Sequence, residues 1–176
     1  MAYTTIDDGS VYFQTALYSS SGGGGSITVT NDGNSDLQPD LIWIKRRNGT
    51  QGHVFSDTVR GLGKHLLSNS TDPESSPGYP YVSSVVEGGF VLRGGVSSGG
   101  NVSGRNMVAW CWKAGGAAVT NTDGSITSQV SANQKAGFSV VTYTGTNGNG
   151  TFGHGLGKAP KWVVIRRRDN SSTWVV

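Results

Sequence analysis

Residues 39–55, PDLIWIKRRNGTQGHVF, are answered by residues 160–176, PKWVVIRRRDNSSTWVV. Such self-similarity constrains the fold more than any single motif, because a repeated phrase marks a repeated structural unit. The match extends upstream. Phe13 to Tyr18 (FQTALY) and Phe138 to Tyr143 (FSVVTY) both read F-x-x-x-x-Y, 125 positions apart, and each precedes a glycine-rich loop, SSSGGGGS and TGTNGNGT. Beyond the arginine cluster HVF meets WVV, with the second loop taken a few residues shorter. Four features in one order make two copies. The first continues through EGGFVLRGG to NMVAWCWKAGG, and the second has neither. The division expected is a first β-sandwich repeat at 1–116, a linker at 117–136 and an incomplete second repeat at 137–176.

What each copy can fold into follows from its runs. Glycine supplies 28 of 176 residues and charged residues only 14%, so helix formers are scarce. β-branched and aromatic residues fall in short runs between turn-forming stretches. Strands are expected at 11–18, 26–30, 40–46, 53–56, 64–68, 81–86, 89–93, 106–113, 126–130, 138–144, 162–167 and 173–176. Asn48-Gly49 favours a hairpin after LIWIKRR, and Asp123-Gly124 a further one. In MVAWCWK both alternating sets are apolar, which predicts a strand covered on both faces. The fold class is all-β: an antiparallel sandwich with a second, truncated repeat. Two explanations of the closing strands stay open. Either the chain continues beyond Val176, or they complete a sheet in residues 1–116 or in a neighbouring chain.

The order FxxxxY, glycine loop, PDLIWIKRR, DTVRG, LLSNST, GGFVLRGG, VAWCWKAGG, HGLGKAPK resembles a repeat of virion proteins in tailed bacteriophages, marine and cyanobacterial ones especially. The resemblance covers nearly the whole chain. It implies a concanavalin-like or jelly-roll sandwich and a structural role in a tail fibre or similar appendage that attaches the virion to its host. It also implies a chain made in the host cytoplasm and assembled into the virion. Other virion proteins of tail or capsid are then the expected partners, together with copies of the chain itself, a trimer being the first candidate. A capsid decoration protein and a carbohydrate-binding module are the alternatives.

No motif demands catalysis. Gly61-Leu-Gly-Lys64 and Gly155-Leu-Gly-Lys158 lack the first glycine and the Ser/Thr of a phosphate loop and read as turns. Glu74 and Glu87 are the only glutamates, His53, His65 and His154 are isolated, and no G-x-S-x-G occurs. Catalytic, cofactor and metal residues are therefore expected to be absent. Asp57 and Arg60 in SDTVRG suit a structural ion pair. The lone Cys111 makes no disulfide framework.

The net charge of +3 lies largely in Lys45-Arg46-Arg47 and Arg166-Arg167-Arg168. In a strand, neighbours point to opposite faces, so neither triplet forms one stripe, and no nucleic-acid role is expected. No apolar run is long enough to span a membrane, and no signal peptide is visible. Contacts with protein or with a host-surface glycan are expected at Tyr79 and Tyr81 in PESSPGYPY, at the repeated arginines Arg47 and Arg167, and at Trp174.

Overall fold

The computed structural model describes residues 6–21, 25–75, 82–93 and 103–176. After a single 3-10 turn at Gly9–Val11, the described residues form eleven strands. They are β1 (Phe13–Ser20), β2 (Ile27–Thr30), β3 (Leu41–Arg46), β4 (Val54–Asp57), β5 (Leu66–Leu67), β6 (Val82–Val86), β7 (Gly89–Leu92), β8 (Arg105–Trp112), β9 (Val119–Asn121), β10 (Ser128–Asn133) and β11 (Phe138–Tyr143).

The pairings are antiparallel and make three sheets: β1-β8-β3-β4-β5, β2-β7-β6 and β11-β10-β9. The first two face each other as a β-sandwich. Ala16, Ile42, Ile44, Met107, Ala109 and Cys111 from one sheet join Val29, Val82, Phe90 and Leu92 from the other in one buried cluster. The period of two makes this possible. Met107, Ala109 and Cys111 on β8 face the core, while Val108, Trp110 and Trp112 face away. Each fully buried Phe, Leu or Ile there contributes about 1.5–3 kcal/mol.

The expectation that β8 is covered on both faces needs refinement. Its core face is closed, and its outer face is half-buried beneath aromatic rings. Trp112 stacks near Phe13 and Phe138, with centroids at 5.0 and 6.1 Å. Trp110 meets Trp43 at 5.3 Å, and Trp43 meets Phe55 at 4.8 Å. The second copy thus contributes Phe138 to the cover.

The stretch 117–136, read from sequence as a connection, carries β9 and β10. They pair through a turn at Gly124, whose φ of +95° suits glycine. Ser131 on β10 accepts from the Gly115 amide at 2.9 Å and donates to the Gly116 carbonyl at 2.8 Å, fastening this sheet to the end of β8. Asp40, 3% exposed, helps from the other side by accepting from the Ala114 and Gly116 amides at 2.8 and 3.2 Å.

The strands expected at 162–167 and 173–176 are not formed. That region holds one antiparallel bridge, Ile165 with Val175. Ile44 pairs with Val54 in the β3–β4 hairpin, and Ile165 and Val175 lie the same number of positions further on. The second loop is therefore not shorter than the first. The second hairpin keeps the register of the first, and among the described residues no strand pairs beside it; a lone hairpin is marginal.

In the first hairpin, Asn48 and Gly49 do not take the positive φ of a two-residue turn. Asn48 instead bonds Arg46 and the Asn106 amide through its carbonyl oxygen, at 2.9 and 3.1 Å. Gly49 leaves room for a guanidinium: a Cβ there would stand 2.6 Å from the Arg46 carbon.

Candidate functional site

The second hairpin lies against the outer edge of the five-stranded sheet, where β5 and residues 67–75 are exposed to it. Residues 72–75 are brought beside β5 by an antiparallel bridge between His65 and Ser75. Two backbone bonds then join the copies, from the Glu74 amide to the Arg168 carbonyl at 2.8 Å and from the Ser172 amide to the Thr71 carbonyl at 3.1 Å. Trp174 adds a side chain: its indole N–H donates to the Leu67 carbonyl at 3.0 Å and its ring lies 5.6 Å from Phe55. The row Trp110, Trp43, Phe55 thereby continues into the second copy. Arg166 sits 5.5 Å over the Trp174 ring and donates to the Asp72 and Ser172 carbonyls.

Beneath these contacts lies a charged network. Arg60 donates its amide and Nε to the two oxygens of Asp57, one Nη to Glu74 at 3.1 Å and the other to the Phe55 carbonyl at 3.1 Å. The Arg60 side chain is 6% exposed and that of Asp57 3%, and such buried ions persist only when fully hydrogen-bonded. The ion pair read from SDTVRG is therefore present and ties the loop after β4 to that strand. Glu74 extends it. Arg168 donates to both of its oxygens, at 2.9 and 3.0 Å, in a bidentate fork, and the Lys64 ammonium lies 3.7 Å away.

Burial pushes the Glu74 carboxyl up, but hydrogen bonds from Arg168 and Arg60, with their charges, hold it below its ordinary value of 4.5. The hydrogen bond to Glu74 raises Arg168 correspondingly.

The sequence-based contact residues separate on this geometry. Trp174 stands in the junction. Arg167 points away from it and pairs with Asp169 on the surface at 2.6 Å, as the alternation of the triplet requires. Arg47 is exposed, and its backbone amide donates to the Asn106 carbonyl at 2.7 Å. Tyr79 and Tyr81 lie outside the described residues. Sequence reasoning did not single out Phe55, Asp72, Arg166 or Arg168 as a junction, and it weighed Glu74 only as an acid. One signal was available: a glutamate in a chain with two is a strong candidate partner for a repeated arginine.

The described residues contain no group of three His, Cys, Asp or Glu side chains placed to hold a metal. They contain no helix long and apolar enough to cross a membrane. Cys111 is fully buried, and burial pushes its thiol up to about 12, which leaves it inert as a nucleophile. In Gly61-Leu-Gly-Lys64 the Lys64 amide donates to the Gly61 carbonyl at 3.0 Å, as in a turn.

The family described as "Domain of unknown function (DUF7483)" matches residues 8–176. The chain belongs to that family. The DUF7483 match takes in both copies, so the junction between them lies within it. No curated protein and no solved structure matches the chain.

Proposed function

We propose that this DUF7483 chain is a structural component of a bacteriophage virion. In this reading it works in a tail fibre or similar appendage used in attachment to the host, and this part docks on the virion. The supporting observation is the junction itself. Copies of one phrase pack on each other through Trp174 on Phe55 and Arg168 on Glu74, a contact that holds modules together without a disulfide. The resemblance to the phage repeat and to jelly-roll sandwiches points the same way. The role is assembly, not catalysis: Glu74 is bound by two guanidiniums and has no freedom to exchange a proton with a substrate. The expected partners are other virion proteins and further copies of the chain, as a trimer.

The test is the position of the chain in a whole-virion density map. Density in the tail appendage is expected. Density on the shell would replace this reading with a capsid decoration protein, and absence from the particle would overturn both. Specific signal on a glycan array, lost in Tyr79→Ala and Tyr81→Ala, would move the reading to a carbohydrate-binding module.

A further inference from the structure

The dipeptide Asn-Gly occurs three times, at Asn48-Gly49, Asn147-Gly148 and Asn149-Gly150, and the fold treats the three differently. Such pairs can modify themselves, because glycine has no Cβ to keep its backbone nitrogen away from the preceding side-chain amide. At Asn48 that amide is tied down. Its oxygen accepts from Arg46 Nε and the Asn106 amide at 2.9 and 3.1 Å, and its nitrogen donates to the Gly104 carbonyl at 3.4 Å. At Asn149 the glycine is wedged: a Cβ on Gly150 would stand 2.6 Å from Ile126 Cδ1. The next residue is fastened as well. The Thr151 amide donates to Ser125 Oγ at 3.0 Å, and the Thr151 carbonyl accepts from the Ile126 amide at 2.9 Å. Asn147 has neither restraint. It is exposed in the loop after β11, in the left-handed region at φ +59°, which asparagine tolerates. No described residue hydrogen-bonds its side chain. Gly148 has open space around it, with nothing within 4 Å of a Cβ built there.

We propose that Asn147-Gly148 is a self-modifying site, at which the asparagine converts to isoaspartate and aspartate without an enzyme. The Gly148 backbone nitrogen attacks Asn147 Cγ. The new C–N bond closes a succinimide ring, the bond from Cγ to the side-chain nitrogen breaks, and that nitrogen leaves as ammonia with the proton of the backbone amide. Water then opens the ring. Addition at the Asn147 backbone carbonyl gives isoaspartate, and addition at Cγ gives aspartate. Either product places a carboxylate on the loop and lowers the formal net charge of +3 by one. The bonds between Ser125 and Thr151 close the loop behind the site, so β10 and β11 keep their pairing. The inference does not depend on where in a virion the chain works.

Mass spectrometry tests it. The full folded chain is held at mildly alkaline pH, which favours loss of the backbone amide proton, then digested in acid, with fragmentation separating Asn147 from Asn149. Replacement of an amide NH2 by OH should appear first at Asn147, with release of ammonia. Asn48 and Asn149 should lag by roughly ten- to a hundredfold, the loss expected when reacting atoms are held out of attack geometry. In chain unfolded by urea the three pairs should convert at similar rates, since only the local dipeptide then matters. Gly148→Val should suppress conversion of Asn147 with the fold intact, because Gly148 is outside the positive-φ region and has room for a side chain. Survival of Asn147 in the folded chain overturns the proposal, as does equally fast conversion of Asn48 or Asn149 there. So do a spread of rates in urea equal to that in the folded chain, and a rate at Asn147 that Gly148→Val leaves unchanged.

Discussion

The two hairpins of this chain share a register and differ in everything around it. Ile44 faces Val54 and Ile165 faces Val175. In the first hairpin the strands continue into a five-stranded sheet and Ile44 is 2% exposed. The second makes a single bridge and is held to the first copy through its own Trp174, Arg166 and Arg168. Equivalent residues have changed jobs accordingly. Lys45 folds back on its own loop, donating to the Arg46 and Gly49 carbonyls at 2.7 and 2.9 Å. Its equivalent Arg166 folds back on Ser172 and also reaches Asp72 in the other copy. His53 lies on Trp43 of its own hairpin, whereas its equivalent Trp174 lies on Phe55 of the other. A hairpin sequence thus specifies its own pairing, and its neighbours decide whether it becomes a sheet.

Breaking the comparison should show this unequally. Ile44→Ala empties a core position and should cost about 2–5 kcal/mol in urea denaturation, against less than about 1 kcal/mol for Ile165→Ala. Equal costs would mean that the second hairpin is as much a part of the core as the first. Glu74→Gln weakens the bonds of buried Arg60 and of Arg168 together. A loss of about 1–3 kcal/mol is expected, with a change in the emission of Trp174 that Glu87→Gln does not produce. Trp174→Ala should cost about 1–2 kcal/mol, less than a full core deletion because the ring is only half-buried. It should also raise hydrogen exchange at β5 while leaving β8 protected. Arg168→Ala, on a side chain 36% exposed, should cost no more than about 1 kcal/mol after solvent screening.

Acid sharpens the same contrast. The Glu74 carboxyl is depressed in the folded chain, so its contribution is complete above its unfolded value of 4.5 and is lost as pH falls through the lower folded value. The indole N–H signal of Trp174 should shift in that acid range while those of Trp110 and Trp112 do not. Glu74→Gln should flatten the shift. An unchanged acid titration in that variant would assign the effect to another group.

Much of this architecture was legible along the chain. Nearly every strand of the sandwich answers to a short apolar run, and the Asp57–Arg60 pair to two residues three apart. β9 was missed because Val119–Asn121 is short and exposed, without the alternation that marks a half-buried strand. The closing strands were over-read because their composition is that of β3 and β4. The Glu74–Arg168 contact joins residues 94 positions apart; the scarcity of glutamate points to an arginine partner but not to which arginine.

The sequence by itself determined the alternation that divides β8 into two apolar faces, the hairpin register and its repetition, because these depend on neighbours a few residues away. Only the tertiary structure decided that Arg168 rather than Arg167 finds Glu74 and that Trp174 lies on Phe55 of the other copy. Those outcomes depend on which surfaces meet once the sandwich has closed. Burial and charge pairing act across space, where spacing along the chain carries no information.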